Sequence, residues 1–221
     1  VRVMLPPGPW EVFSQYNRWS QEGNGRWAPL NGQGVLLGHR HGRTTEGNTP
    51  FCAVRQIGHH EGIAFHVYPV GNWRIRILPL VQSNSEPAVA VDLGISDEEL
   101  AFPLQPGEQW KLPEVLIHHF DELEEASSEL HRYLLKDPQI SQRRLPVAFN
   151  TWFDRFDRLH VPHLLDDLSA AKEIGCEAFV VDAGWFGGDL PGWFLCIGNW
   201  HEKTKIAFQG RMKEFADKVR E

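Results

Sequence analysis

Phe179-Val180-Val181-Asp182-Ala183-Gly184-Trp185-Phe186 runs from an apolar strand into a carboxylate and then into a Gly-aromatic turn. An uninterrupted apolar run suits a strand covered on both faces, as in a parallel sheet, and Asp182 falls where such a strand emerges at its C-terminal end. In α/β barrels that end carries the active site. Taken alone, the stretch is equally compatible with Asp182 capping the strand and Trp185 and Phe186 packing on the core.

The residues upstream repeat the pattern. Leu145-Pro146-Val147-Ala148-Phe149 is a second short apolar run, ending in Asn150-Thr151-Trp152-Phe153-Asp154. Between the two runs Pro162 stands at a first helical position. Leu164, Leu165, Leu168, Ala171 and Ile174 recur at helical spacing, and Gly175 marks the stop. The unit reads strand, helix, strand, a crossover that makes the two strands parallel and aims Asn150/Trp152 and Asp182/Trp185 at one rim. Amides and carboxylates bind hydroxyl groups while indole faces cover the apolar side of a pyranose, so a sugar pocket is expected there.

Upstream of this unit the chain has a different grain. Apolar, β-branched and aromatic residues fill Gly34–Gly38, Phe51–Ile57, Ile63–Val70, Trp73–Val81, Ala88–Ile95 and Trp110–Phe120, with Gly, Asn and Pro between them. Short strands at that spacing predict an antiparallel sandwich. Trp73, Ile75 and Ile77 alternate with Arg74 and Arg76, giving one apolar and one charged strand face. Trp10, Trp19 and Trp27 lie in a Gly/Asn-rich lead-in with no clear period; packing between strands is favoured over sugar stacking by the sandwich itself. From Asp121 to Lys136 the period turns helical, with Leu123, Ala126, Leu130, Tyr133 and Leu134 on one face and Asp121 as the expected cap. Gly210–Arg220, with Met212, Phe215, Ala216 and Val219, predicts a further helix.

The segments Asn150-Thr151-Trp152-Phe153, Val181-Asp182-Ala183-Gly184-Trp185-Phe186-Gly187 and Gly198-Asn199-Trp200 resemble, in order and spacing, the first barrel landmarks of glycoside hydrolase family 36, the microbial α-galactosidases. Gly71-Asn72-Trp73, Leu104-Gln105-Pro106-Gly107-Glu108 and Lys111-Leu112-Pro113-Glu114 are similar to the β-sandwich that precedes the family's barrel. The resemblance implies a truncated β-sandwich over residues 1–120, a linker helix over 121–144 and the first two βα units of an incomplete TIM-type (β/α)8 barrel over 145–221. A closed barrel takes about 250 residues, so the chain reads as an excerpt of a longer enzyme.

Composition narrows the partners. A net charge of −7 and a pI near 5.9 argue against nucleic acid or an anionic membrane surface as partner, and neutral sugars remain compatible. No apolar run approaches a membrane span, and residues 1–7 lack a signal peptide's hydrophobic stretch. Three widely spaced cysteines, Cys52, Cys176 and Cys196, suggest neither a disulfide framework nor zinc, and a cytoplasmic location is expected. The pairs His39/His41, His59/His60, His118/His119 and His160/His163 lack an evident third ligand, so no metal and no cofactor is expected.

The chemistry follows from the resemblance. A retaining glycosidase needs two carboxylates about 5 to 5.5 Å apart, and the family carries its nucleophile in a Lys-x-Asp motif on a later strand. No Lys-x-Asp triplet occurs in the 221 residues. No catalytic residue is therefore assigned, Asp154, Asp157 and Asp189 included, and the chain alone is expected to be inactive. Asp182 matches the first aspartate of the family's Asp-Asp-Gly-Trp motif, which holds galactose hydroxyls. Asn150, Trp152, Trp185, Asn199 and Trp200 complete the expected substrate-binding set.

Two residues depart from the family pattern: Ala183 replaces a second aspartate, and Asn199 stands in a Gly-Asp-Trp position. An unpartnered buried hydroxyl costs roughly 1 to 3 kcal/mol, which bears on which sugar is preferred. The implied activity is removal of terminal α-linked galactose from oligosaccharides by a homo-oligomeric full-length enzyme. An α-N-acetylgalactosaminidase, a raffinose-synthase-like transglycosylase and an inert carbohydrate-binding module are the alternatives.

Overall fold

The structure, a computed structural model, describes residues 1–40, 47–68, 71–80, 88–188 and 190–221. The chain divides into two compact units, Val1–Gln142 and Arg143–Glu221. His41, Asp189 and the expected strand ends at Val70 and Val81 lie outside the described residues.

The first unit holds β1 (Arg2–Leu5), β2 (Trp10–Arg18), β3 (Gln21–Pro29), β4 (Val35–His39), β5 (Gly47–Gln56), β6 (Gly62–Val67), β7 (Trp73–Leu80), β8 (Ala88–Ile95) and β9 (Val115–Phe120), then helices α1 (Leu123–Leu134) and α2 (Pro138–Ser141). All pairings are antiparallel, and the strands form a four-stranded sheet, β1-β8-β7-β4, and a five-stranded sheet, β3-β2-β5-β6-β9. The inner faces meet in one core. Trp73, Ile75, Ile77, Val89 and Val91 from one sheet pack with Val12, Cys52, Val54, Phe65 and Val67 from the other. The expected alternation along β7 is what aims Trp73, Ile75 and Ile77 inward, while Arg74 pairs with Asp97 and Arg76 with Asp92 outside.

The five-stranded sheet is apolar on both faces. Its outer face carries Phe13, Trp27, Phe51, Ala53, Ala64 and Phe120, on which Leu123 and Ala126 of α1 pack. The helix therefore packs within the first unit. Its expected cap differs: Glu122 flanks the first turn without a side-chain bond, and the Asp121 backbone N–H instead donates to Glu125 Oε2 at 3.0 Å.

The lead-in without period is the β2–β3 hairpin, turning at Trp19 and Ser20. Trp10 is buried and donates from its indole N–H to the Pro6 carbonyl at 2.9 Å, Trp27 lies under the Arg55 guanidinium, and Trp19 is exposed at the tip. The expected strand from Trp110 begins only at Val115. Pro113 removes a ladder donor just before it, and Trp110 stacks on Phe102 instead.

The second unit holds β10 (Ala148–Asn150), α3 (Trp152–Arg155), α4 (Val161–Glu173), β11 (Ala178–Val180) and α5 (Met212–Arg220). Strands β10 and β11 pair in parallel, Asn150 opposite Val180. Helix α4 buries Val161, Leu164, Asp167 and Ala171, a stripe at three- and four-residue spacing. Leu159, Val161, Leu164, Ala207, Phe208 and Phe215 form the core, with Phe179 and Val181 packed on it. Burial of these strands on both faces, as the apolar runs imply, is not found among the described residues. Val147, one residue before β10, is 57% exposed, and Val180 is 41% exposed because successive strand residues alternate sides and the side carrying Phe179 meets the helices.

Candidate functional site

The C-terminal ends of β10 and β11 are stitched together by Thr151, which is fully buried. Its backbone N–H donates to the Val180 carbonyl and its hydroxyl accepts from the Asp182 N–H, both at 3.1 Å. Asn150 and Asp182 then meet side by side: Asn150 Nδ2 donates to Asp182 Oδ2 at 2.8 Å. The side-chain Oδ1 of Asn150 accepts from the Trp152 N–H at 2.8 Å, and Asp182 Oδ1 accepts from the Ala183 N–H at 2.7 Å. The carboxylate is thus held from both sides. Two carboxylate oxygens offer about four acceptor positions, so half remain for a ligand's hydroxyl groups.

Gly184 makes the turn after Asp182 possible. Its φ is +110°, and a Cβ placed there would stand 2.6 Å from the Asp157 carbonyl oxygen. Beyond it the chain pairs with a later segment. The Lys203 N–H donates to the Trp185 carbonyl at 2.8 Å, Phe186 bridges Glu202, and the Gly187 N–H donates to the His201 carbonyl at 2.9 Å. Lys203 is buried and its ammonium donates to the Gly192 carbonyl.

The aromatic residues fall into two groups. Trp152 meets Phe156 and Trp193 edge-on, with centroids 5.3 and 5.4 Å away. Trp185, Phe186 and Trp200 form the other group, Phe186 and Trp200 lying 4.7 Å apart. Trp185 also packs on the helical core, whereas Trp200 is 59% exposed. Asn199 is half-buried beside it, its N–H donating to the Cys196 carbonyl at 3.0 Å. Among the described residues no ring contact joins Trp152 to Trp185 or Trp200. The structure therefore brings Asn150, Asp182 and the backbone of Trp152 together, and sets Trp185, Asn199 and Trp200 in a second cluster along the following loop.

Sequence reasoning missed three supporting residues. Thr151 is one, Lys203 another, and Arg155 the third. The Arg155 guanidinium forks onto the buried Asp167, at 3.1 and 2.8 Å, and also reaches Asp154 at 2.7 Å, tying α3 to α4. The Asp167 hydrogen bonds raise the Arg155 pKa further. An open cleft of about 640 Å³ lies beside this pair, lined by Asp157, His160, His163, Gly184 and Lys203 among others. Neither Asn150 nor Asp182 lines it.

A family model described as Melibiase matches residues 109–221, just over half of the chain. The chain belongs to the melibiase family. The resemblance to glycoside hydrolase family 36 read from its motifs agrees with that membership. Among curated relatives it is 26% identical over 198 residues to α-galactosidase AgaA of Geobacillus stearothermophilus, covering 85% of this chain and 26% of that protein. It is 27% identical over 203 residues to an α-galactosidase of Escherichia coli, covering 86% and 27%.

The fold is similar to that of solved structures. The galactosidase domain of the α-galactosidase–sucrose kinase AgaSK superposes with a TM-score of 0.79 at 21% identity, covering 100% of this chain and 31% of that one. A GH36 α-galactosidase AgaA from Geobacillus stearothermophilus, in complex with 1-deoxygalactonojirimycin, gives 0.78 at 22%, covering 99% and 31%. At these identities the likeness is one of fold. This melibiase-family chain spans about a quarter of the length of the curated relatives it matches. No helix among its described residues is long and apolar enough to cross a membrane.

Proposed function

We propose that this chain supplies the sugar-binding rim of a retaining α-galactosidase that removes terminal α-linked galactose from oligosaccharides. In this reading residues 1–120 are the sandwich domain, 121–144 the linking helix, and β10, α4, β11 and α5 the first two units of a (β/α)8 barrel. The observation that carries it is the Asn150–Asp182 pair, an amide and a carboxylate 2.8 Å apart at the ends of two parallel strands. That end is where barrel enzymes hold their substrates. Membership of the melibiase family supports the substrate class.

The roles follow from the chemistry. Asp182 accepts from galactose hydroxyls through its remaining lone pairs, and Asn150 holds that carboxylate in place while keeping one N–H for the sugar. Trp152, at the same strand end, offers an apolar face to the pyranose, with Trp185, Asn199 and Trp200 bordering the loop side. The nucleophile and the acid/base lie outside residues 1–221, which contain no Lys-x-Asp triplet. No cofactor takes part. The enzyme is a cytoplasmic homo-oligomer. Ala183 favours one second reading, a preference for an α-linked sugar substituted at C2, since its methyl group cannot bind a hydroxyl and leaves room beside Asp182.

The test is kinetic, on the whole protein with p-nitrophenyl α-galactoside and its N-acetylgalactosaminide. Removing a hydrogen bond to a charged group costs about 1.5–3 kcal/mol, so Asp182→Ala should lower kcat/KM by about 10- to 100-fold. An unchanged kcat/KM for Asp182→Ala would refute the assignment, and faster turnover of the N-acetylated substrate would favour the second reading.

A further inference from the structure

Residues 190–200 of the second unit form a loop that is apolar where a surface loop is ordinarily polar. It contains no charged side chain, and Asn199 carries its one side-chain amide. Within it a single 3₁₀ turn, Phe194–Cys196, spreads three successive side chains around its axis. Cys196 takes the inward position, 1% exposed, and its thiol donates to the Gly192 carbonyl at 3.5 Å. Its neighbours are thereby turned out: Phe194 is 68%, Leu195 88% and Ile197 56% exposed. A contiguous exposed apolar patch marks a contact surface, whereas single exposed apolar residues need no explanation.

The surface is held from inside. Gly187 approaches so closely that a Cβ on it would lie 2.5 Å from the Cys196 Cβ, and the buried Lys203 ammonium donates to the Gly192 carbonyl. A surface fixed in advance loses little freedom when a ligand covers it. It is also continuous with the two strand ends. Trp193 meets Trp152 edge-on with centroids 5.4 Å apart, and meets Phe194 edge-on at 5.5 Å. The Trp152 N–H is in turn held by the Asn150 side chain. Aromatic rings therefore run without a break from the Asn150–Asp182 pair to the exposed Phe194, with Leu195 next in the chain.

We propose that Phe194, Leu195 and Ile197 receive the aglycone of the substrate, and that the enzyme prefers α-galactosides with a hydrocarbon leaving group over those whose leaving group is a further sugar. The inference rests on the sugar-binding reading of Asn150 and Asp182. A second sugar lying on this surface would need partners for its hydroxyl groups. The three side chains offer none, so each hydroxyl set against them would lose water without replacement. A hydrocarbon chain asks only for apolar area, and each methylene fully covered strengthens binding about four-fold.

Methyl, butyl, hexyl and octyl α-galactosides, assayed on the whole protein below their micelle concentrations, test this. Primary alkanols of different length leave with nearly equal ease, so the series reads contact with the chain. The value of kcat/KM should climb about two-fold per methylene for a chain half-covered by the loop, and a galactosyl disaccharide should react more slowly than the octyl compound. Phe194→Ser and Leu195→Ser should each flatten the climb and lower kcat/KM for octyl α-galactoside about five-fold or more. Ile174→Ser, at another exposed apolar residue at the end of α4, should leave the climb as it is. A rate independent of chain length would overturn the proposal, as would a climb that survives both loop substitutions. So would a lower thermal midpoint for Leu195→Ser with the climb unaltered, the result expected if another part of the protein or a second copy covers the loop. Failure of the sugar site itself is seen separately, as an Asp182→Ala variant that hydrolyses methyl α-galactoside at an unchanged rate, and it takes this inference with it.

Discussion

Replacing Gly184 with alanine sets a methyl group against the backbone that follows α3. The added Cβ would lie 2.6, 2.8 and 3.0 Å from the carbonyl oxygen, Cα and carbonyl carbon of Asp157. None of these is the end of a flexible side chain, so relief requires the turn itself to move. A residue forced into a conformation open only to glycine costs about 1–3 kcal/mol, and overpacking adds about 1–3 kcal/mol. Gly184→Ala should therefore destabilise the protein by about 2–6 kcal/mol. Gly188 is the control, since its φ is +59° and nothing lies within 4 Å of the position a Cβ would take. Gly188→Ala should cost only the left-handed backbone term, about 1–2 kcal/mol. Urea denaturation of both variants, followed by tryptophan fluorescence, separates crowding from backbone strain. Equal losses would refute the contact with Asp157, and with it the view that this turn positions Asp182 by direct packing.

Thr151→Val keeps the shape of a fully buried side chain but leaves the Asp182 N–H without its acceptor, so a loss of about 1–3 kcal/mol in the same assay is expected. Arg155→Met should lower the midpoint of thermal unfolding, because it leaves the buried Asp167 carboxylate without its partner, whereas Asp154→Asn should be nearly silent. Asp92 is held below the ordinary carboxyl value of 3.8 by its hydrogen bonds from Arg2 and then Arg76. Its contribution is present above about pH 4 and is lost as pH falls further, since the unfolded chain binds the proton first. Asp92→Asn should accordingly flatten the pH dependence of stability below pH 4; an unaltered slope would count against the pair.

How much could be read in advance depended on whether a residue's partner leaves a trace in sequence. Strand β7 was legible because burial on one side and ion pairing on the other demand opposite chemistries at alternate positions, as in Trp73 to Ile77. The β2–β3 hairpin was not. Strand β3 is exposed along nearly its whole length, so its ladder to β2 rather than its side chains keeps it extended, and ladder bonds are blind to side-chain type. In the second unit the meeting of Asn150 and Asp182 followed from two short apolar runs joined by one helix. The contributions of Thr151 and Lys203 did not, because they act on backbone groups 31 and 11 residues away. Trp185 shows the ambiguity of aromatics after a strand: it lies next to the candidate site in sequence and packs partly on the helical core in space.

Strand β1 finds its partner about ninety residues later, in β8, and the sheet of β5 and β6 is sealed on its outer side by α1. A polypeptide emerging from the ribosome would hold β1 without its β8 partner until Ile95 is made, and an uncovered oily surface until Leu134 follows. Assembly of this half is thus expected as a single late event rather than stepwise accretion, the interval in which a chaperone has most to bind.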